Sequence, residues 1–192
     1  IAVSVYSGWL AYSTFDHEWV KHQIEDTTVE EVLIKNWPGL HIEPLQAPEN
    51  MEVLIGWTGS PASSPHFVSE VKRLKSDPSF YGDFLEDSHR CVEKLIHAFK
   101  TNNIKGVQKM VRQNRTIIQR MDKEATVDIE TEKLKYLCDI AEKYHGASKT
   151  SGAGGGDCGI TIINKDVDKE KIYDEWTKHG IKPLKFNIYH GQ

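Results

Sequence analysis

The central third of the chain repeats its apolar side chains with the period of an α-helix, and this pattern restricts the fold most. Residues 84–99 and 104–121 each place apolar side chains at steps of three and four, which gives each stretch one apolar stripe. A third, shorter helix is predicted up to Tyr144, and Gly146 is placed to end it in the left-handed conformation. Three consecutive amphipathic helices need a common apolar partner, which strands before and after them in the sequence would provide. The stripe residues are Phe84, Leu85, Cys91, Val92, Leu95, Ile96, Phe99, Ile104, Val107, Met110, Val111, Ile117, Ile118, Met121, Leu134, Leu137, Cys138 and Ala141.

Short apolar runs of strand length flank this helical block. "MEVLIGW", residues 51–57, precedes it, and Ile160–Ile163 follows it. A further helix is predicted over 168–179, stopped by Gly180, and the alternating "LKFNIY", residues 184–189, is predicted as a last strand. The order strand, helical block, strand, helix, strand predicts an α+β fold in which helices pack on one face of an antiparallel or mixed sheet.

The first fifty residues have a different texture. Residues 1–15 carry no charge, are short for a membrane span and lack the basic start of a signal peptide, so burial in a protein core is expected, with Tyr6 and Trp9 as core residues. "LHIEPL" predicts a short strand, and the proline-bearing "QAPEN" is a candidate boundary between two domains. Because the chain enters its apolar run at Ile1 without a cap or turn, we expect that its true beginning is missing.

Composition and charge exclude several classes of function. Apolar residues make up 39% of the 192 residues and charged residues 27%, which is typical of a globular protein. The net charge of −4 gives no broad electrostatic reason to expect nucleic acid or an anionic membrane as partner. Three cysteines without CxxC spacing favour a reducing compartment, with the cytoplasm as default, and the nine histidines show no metal-binding pair.

The segment "KTSGAGGGDCGI", residues 149–160, is the strongest candidate for a functional site. Residues without Cβ can expose several amide N–H groups in one hollow, and such a nest binds phosphate oxygens. The alternative is a plain connection between a helix and a strand. The segment is neither GxGxxG nor a P-loop, since no GK[ST] follows and the order is helix, loop, strand. Ser151 could add a hydroxyl donor, and Lys149 is a weaker candidate that could equally be solvated.

Two further features allow both a functional and a structural interpretation. The loop Thr58–Ser64 offers Ser60, Ser63 and Ser64 as hydroxyls for a polar substrate, and a helix cap explains the same serines as well. Asn114 falls on an apolar stripe and needs a partner such as a loop carbonyl, which favours a satisfied core polar group over a ligand.

From Met110 onward the chain resembles the C-terminal half of the GHMP kinases, which include galactokinase, homoserine kinase, mevalonate kinase and phosphomevalonate kinase. "SGAGGGDCG" is similar to the third motif of that superfamily. Asp157-Cys158, Asn114-Arg115, the loop "GWTGSPASS" and the opening "IAVSVYSGWLAYSTFD" are most similar to the phosphomevalonate kinases. The resemblance covers nearly the whole chain. It implies that residues 1–50 complete a nucleotide-binding domain of the ribosomal-protein-S5-like type and that residues 51–192 form a ferredoxin-like domain elaborated with helices.

The resemblance also implies an activity and its ligands. The expected reaction moves the γ-phosphoryl group of ATP, with Mg²⁺, onto 5-phosphomevalonate and gives diphosphomevalonate and ADP. The amides of Gly152, Ala153, Gly154, Gly155 and Gly156 would bind phosphate oxygens of the donor or acceptor. Asp157 would orient a lysine, bind Mg²⁺ through water or cap local amides, and we favour a structural or orienting role.

The family's other phosphate-binding loop and its catalytic acid lie upstream in the resembling enzymes and have no counterpart here. We therefore expect a C-terminal portion that is inactive alone and contributes no catalytic residue. It should expose apolar surface where the upstream half docks, so that by itself it is poorly soluble or remains associated with that half. The alternatives are another GHMP small-molecule kinase, such as a mevalonate kinase, and a non-catalytic binding module of the same fold.

Overall fold

A computed structural model describes residues 2–61, 78–152, 154–186 and 188. The chain divides into two compact units, residues 1–46 with 188–192, and residues 47–187. No helix of the described part is both long enough and apolar enough to span a membrane.

The first unit combines short helices with a two-stranded sheet. It contains α1 (Ala2–Tyr6), β1 (Trp9–Ser13), α2 (His17–Asp26), α3 (Val29–Leu33) and β2 (His41–Leu45). β1 and β2 pair antiparallel, with Trp9 opposite Leu45 and Ser13 opposite His41. The strand predicted from "LHIEPL" is confirmed as β2. Asp16 caps α2 by accepting from the amide of Trp19, which fixes the start of this helix.

Within this chain the expected burial of the opening apolar run holds only in part: Trp9 is half-buried, whereas the other expected core residue, Tyr6, is exposed. Val3, Val5, Tyr6 and Tyr12 are exposed, Tyr6 by 52%, whereas Ala11 is buried. The run divides into a five-residue helix without buried residues and a five-residue strand in which only the middle residue, Ala11, is buried. Apolar content therefore did not translate into burial there.

The second unit contains a four-stranded sheet with helices. Its elements are β3 (Met51–Trp57), α4 (Pro78–Lys100), α5 (Ile104–Ala125), α6 (Glu132–Lys143), β4 (Ala147–Thr150), β5 (Cys158–Asn164), α7 (Lys169–Lys178) and β6 (Lys182–Leu184). The strand order is β4-β5-β3-β6, and every pair is antiparallel. Strand, helices, two strands, helix and strand in this order form the ferredoxin-like pattern, so the predicted α+β class is confirmed.

The helix periods in the sequence correspond to a real core. Leu54 and Ile163 of the sheet pack against α6 and α7 around Trp176, whose indole N–H donates to the carbonyl of Leu137 at 3.0 Å. A second cluster joins α4 to α5 through Cys91, Met110 and Ile117. The stripes therefore face the sheet and one another, as their spacing indicates.

Two local predictions are wrong. The last strand is β6, residues 182–184, which pairs with β3 at Ile55, Gly56 and Trp57, so it begins before the predicted run, whose residues 187 and 189 lie outside the described residues. After α6 the left-handed residue is His145, with φ 61°, and not Gly146. A Cβ on Gly146 would lie 2.9 Å from the carbonyl oxygen of Ala141, so close packing explains that glycine. The left-handed conformation at Gly180, with φ 69°, ends α7 as predicted.

Candidate functional site

The glycine loop, defined here as residues 151–157, connects β4 to β5 at one end of the sheet. β4 and β5 form an antiparallel hairpin with Thr150 opposite Gly159. The amide of Ser151 extends this ladder by donating to the carbonyl of Cys158 at 2.8 Å. The loop therefore begins and ends on rigid strands, which limits how far its backbone can move.

The backbone of the glycine loop takes conformations that L side chains rarely adopt. Gly152, Gly154, Gly155 and Gly156 have φ of 71°, 78°, 76° and 131°, and Asp157 has φ 55°. Aspartate is one of the few residues other than glycine that visits this region at modest cost. The clustering of glycines in the sequence is thus explained by conformation at consecutive positions.

The segment that follows α5 holds the middle of the loop. The amide of Gly155 donates to the carbonyl of Ile129 at 2.7 Å. A Cβ on Gly154 would lie 2.3 Å from Cγ2 and 2.6 Å from the carbonyl oxygen of the same isoleucine. The two backbones approach so closely that no side chain fits between them.

The residues that follow β3 hold the end of the loop. The amide of Asp157 donates to the carbonyl of Ser60 at 2.7 Å, and its carbonyl accepts from the amide of Thr58 at 2.8 Å and from Thr58 Oγ1 at 3.0 Å. Thr58 is 1% exposed. The structure therefore brings together two loops that the sequence singled out separately, and it does so through main-chain bonds of Asp157.

These contacts restrict which loop amides are available to a ligand. The amides of Ser151, Gly155 and Asp157 are already donated to carbonyls of the chain. Within the described residues, the amides of Gly152, Gly154 and Gly156 have no acceptor. The predicted phosphate contact of the Gly155 amide would require this amide to leave Ile129, so the geometry favours its three neighbours as donors.

Two lysines lie beside these loops without a carboxylate partner in the described part of the chain. Lys149 on β4 donates to the carbonyl of Thr150 at 2.7 Å, and burial lowers its pKa, so it is not the solvated lysine that the sequence allowed. Lys133, in the first turn of α6, donates to the carbonyl of Thr58 at 2.9 Å. Sequence reasoning missed Lys133, because one lysine in a helix gives no signal of its own. A positive charge with an unsatisfied environment favours an anion nearby.

Other predicted site residues have less definite positions. Ala153, Ser63 and Ser64 lie outside the described residues, and Ser60 contributes its carbonyl to Asp157. The Asp157 carboxylate is exposed and accepts from the Cys158 thiol at 3.6 Å, and this contact, after burial, raises the pKa of that thiol. The side chain of Asn114 is half-buried and makes no hydrogen bond to the described residues, so the loop carbonyl expected as its partner is not found among them. Its neighbour Arg115 is instead a buried ion-pair residue.

No group of three or more histidine, cysteine, aspartate or glutamate side chains in the described part could hold a metal ion. Mg²⁺ is commonly held by one or two carboxylates together with waters and substrate phosphates. Asp157 is the carboxylate of the glycine loop that fits this mode of binding.

Comparisons with known proteins agree with the architecture. Residues 95–182 match the family described as GHMP kinases C terminal. The chain is 33% identical over 187 residues to a phosphomevalonate kinase of Streptomyces sp. (strain CL190), covering 96% of this chain and 50% of that protein. The chain therefore spans about half the length of the relatives it matches.

Solved structures show the same likeness. The crystal structure of a Lin0012 protein from Listeria innocua superposes with a TM-score of 0.91 at 40% identity, over 97% of this chain and 53% of that one. A Streptococcus pneumoniae phosphomevalonate kinase in complex with phosphomevalonate and AMPPNP gives 0.82 at 26% identity, over 96% and 53%. Together with the strand order and the glycine loop, these matches show that the chain contains the C-terminal domain of the GHMP kinases.

Proposed function

We propose that this chain is the C-terminal part of a phosphomevalonate kinase, which transfers the γ-phosphoryl group of ATP to 5-phosphomevalonate and yields diphosphomevalonate and ADP. The single observation that carries the proposal is the glycine loop, in which the amides of Gly152, Gly154 and Gly156 have no acceptor among the described residues. Lys149 lies on the strand that leads into the loop, Lys133 donates to Thr58 of the adjoining loop, and neither has a carboxylate partner in the described part of the chain. The likeness to a phosphomevalonate kinase bound to phosphomevalonate and AMPPNP supports the choice of substrates.

The chemistry explains why such a loop is useful. In phosphoryl transfer the negative charge is spread over the phosphoryl oxygens, so catalysis consists mainly of positioning and of charge stabilisation by donors that are already in place. Hydrogen bonds to a charged group contribute roughly 1.5–3 kcal/mol each. The amides of Gly152, Gly154 and Gly156 would hold phosphate oxygens of the donor or acceptor, with Ser151 as a further donor.

The lysines would supply the charge that backbone amides lack. Burial lowers the pKa of Lys149, and an adjacent phosphate would oppose that shift by favouring the charged form. Lys133 could shift its ammonium from the carbonyl of Thr58 toward a ligand with little change in position. Ser60, Ser63 and Ser64 remain weaker candidates for the acceptor side.

We propose that the remaining parts of the site come from elsewhere in the protein. The relatives are about twice as long as this chain, and their other half would supply the ATP-binding loop and the catalytic acid. Residues 1–50 would complete that nucleotide-binding domain, and residues 51–192 would form the ferredoxin-like domain. Mg²⁺, when bound with ATP, would neutralise phosphate charge. Asp157 could reach it through water. The proposed location is the cytoplasm, with no nucleic acid or membrane partner.

A coupled assay of ADP release on the full-length protein tests the proposal. Phosphomevalonate should support ATP-dependent turnover, whereas mevalonate should not. Turnover with mevalonate alone would assign the protein to another GHMP kinase, and no turnover with either substrate, together with no binding of phosphomevalonate by calorimetry, would favour a non-catalytic module.

A further inference from the structure

A buried ion pair lies next to the segment that holds the glycine loop. Arg115 of α5 donates from Nε to Glu130 Oε2 at 2.8 Å and from Nη2 to Glu130 Oε1 at 2.6 Å. The side chains of Arg115 and Glu130 are 13% and 5% exposed. Nη2 of Arg115 also donates to Asp139 Oδ1 at 2.9 Å, and the side chain of Asp139 is 51% exposed. Burial would lower the pKa of Arg115, but its hydrogen bonds, that to Glu130 foremost, outweigh burial and raise it.

The pair continues into the backbone that touches the loop. Asp122, two turns further along α5, accepts from the amides of Ile129 and Glu130 at 2.9 and 3.1 Å. The side chain of Glu130 is thus fixed by Arg115 while its amide is fixed by Asp122. Between these two anchors the carbonyl of Ile129 is directed at the amide of Gly155.

Other ion pairs of the same helix do not have these properties. Arg120 pairs with Asp87 at 2.7 Å, but the side chains are 49% and 33% exposed. Such an exposed pair contributes little, whereas removal of one partner of a buried pair leaves an uncompensated charge. A buried, two-point contact is also directional, since the guanidinium fork fixes the plane of the carboxylate.

We propose that Arg115 and Glu130 form a positioning pair that sets the carbonyl of Ile129 and, through it, the shape of the glycine loop. The pair contacts no substrate. Its contribution is to keep the amide of Gly155 bonded to Ile129, and so to hold the backbone of Gly152, Gly154 and Gly156 in the conformation proposed for phosphate binding. This inference rests on the proposed function for its catalytic consequence, but its structural part stands independently.

The test compares two double variants of the full-length protein. Arg115→Met with Glu130→Met removes both charges and keeps an apolar filling, so the fold is expected to survive, unlike with Arg115→Met alone. Arg120→Met with Asp87→Met is the matched control on the same helix. Circular dichroism and the urea midpoint of both proteins confirm folding before comparison.

Hydrogen exchange at the Gly155 amide is the readout that does not need a substrate. In the Arg115/Glu130 variant we expect exchange to accelerate about tenfold or more, which corresponds to roughly 1.4 kcal/mol of lost protection. In the control, exchange should stay unchanged. Unchanged protection of Gly155 in a folded Arg115/Glu130 variant would overturn the inference, whatever the enzyme assay shows.

Kinetics supply the second readout. A displaced loop should raise KM for the phosphorylated substrate about tenfold and lower kcat less, because binding amides are displaced in both ground and transition state. A loss of Gly155 protection without any change in KM would contradict the catalytic part. If the wild-type protein shows no kinase activity, the proposed function fails while the exchange result still decides the positioning role.

Discussion

Two regions of the second unit use glycine for different physical reasons. On the sheet, a Cβ on Gly159 would lie 2.7 Å from Cδ2 of Leu137, the end of a side chain that can turn. In the loop, a Cβ on Gly154 would lie 2.6 Å from the backbone carbonyl of Ile129, which cannot move without breaking its bond to Gly155. Gly154 also has φ 78°, whereas Gly159 has no positive φ.

The difference shows how tolerant each region should be. Packing around Gly159 can adjust by a rotamer change in the core, at the cost of some overpacking. The loop has no such freedom, because Gly154 must keep its left-handed backbone and also leave room for the carbonyl of Ile129. Substitutions should therefore separate the two regions by size of effect and by what is lost.

The largest effect is expected for Gly154→Ala. Overpacking costs roughly 1–3 kcal/mol and the left-handed conformation roughly 1–2 kcal/mol more, so unfolding free energy should fall by about 3 kcal/mol. Urea denaturation measures it, and hydrogen exchange at Gly155 shows whether the contact with Ile129 opens. Gly82→Ala in α4, where a Cβ meets nothing within 4 Å, is the control and should be neutral or stabilising. An equal loss of unfolding free energy in Gly154→Ala and in the control Gly82→Ala would show that the loop carries no special cost.

A smaller loss, about 1–2 kcal/mol, is expected for Gly159→Ala. Its cost comes from Leu137, so a double variant with Leu137→Ala should be more stable than the sum of the single losses predicts. A double-mutant cycle from urea unfolding measures this coupling. Strict additivity would mean that Leu137 does not limit the space at Gly159.

Gly152→Ala tests conformation without packing. A Cβ there meets no atom within 4 Å, but φ is 71°, so a loss of about 1 kcal/mol is expected from conformation alone. Phosphomevalonate binding by calorimetry to the full-length protein should weaken more than stability does, since the Gly152 amide is a proposed donor. Weaker stability with unchanged affinity would remove Gly152 from the site.

The smallest effect on stability, and one of opposite sign, is expected for Lys149→Met at the edge of the loop. Burial lowers the pKa of Lys149 from 10.5, so between the lowered value and 10.5 the unfolded chain binds more protons and the wild type gains stability as pH rises. The variant should therefore be more stable than the wild type at pH 7, and the difference should shrink toward pH 10.5. It should also bind phosphomevalonate more weakly.

Lys143→Met is the matched control for that pH series. A hydrogen bond to Glu175 raises the pKa of the exposed Lys143, so its favourable contribution is present at neutral pH and is lost as pH rises through the raised value. The two variants should thus deviate from the wild type in opposite directions in urea unfolding at pH 7. A deviation in the same direction would show that the burial of Lys149 is not unfavourable.

Much of the fold followed from local pattern. The stripes of α4, α5 and α6 and the apolar runs of β3 and β5 were readable because their period matches the element that buries them. The position of β6 could not be predicted from the sequence. An alternating run can pair with any free strand edge, and the strand it pairs with, here β3, sets the register. The exposure of Tyr6 in the opening apolar run could not be predicted for a related reason, since burial depends on which surfaces lie beside a residue.

The site was predictable in part. The glycine cluster identified the loop, but its bond to Ile129 joins residues with no shared sequence signal. The pairing of Arg115 with Glu130 was equally hidden, because an arginine on a helix pairs with whatever carboxylate the loop after it delivers. Which loop amides lack an acceptor among the described residues is decided by these tertiary contacts and not by the number of glycines.

The bond between Thr58 and Asp157 joins positions 99 residues apart, and the central strands β3 and β5 have a comparable separation. Closing so long a segment is entropically costly before any contact rewards it, whereas the β4–β5 hairpin is local. The two loops should therefore meet late on the folding route, after the rate-limiting barrier. A ligand held between them would then slow unfolding and leave the refolding rate unchanged, as stopped-flow measurements with phosphomevalonate can determine.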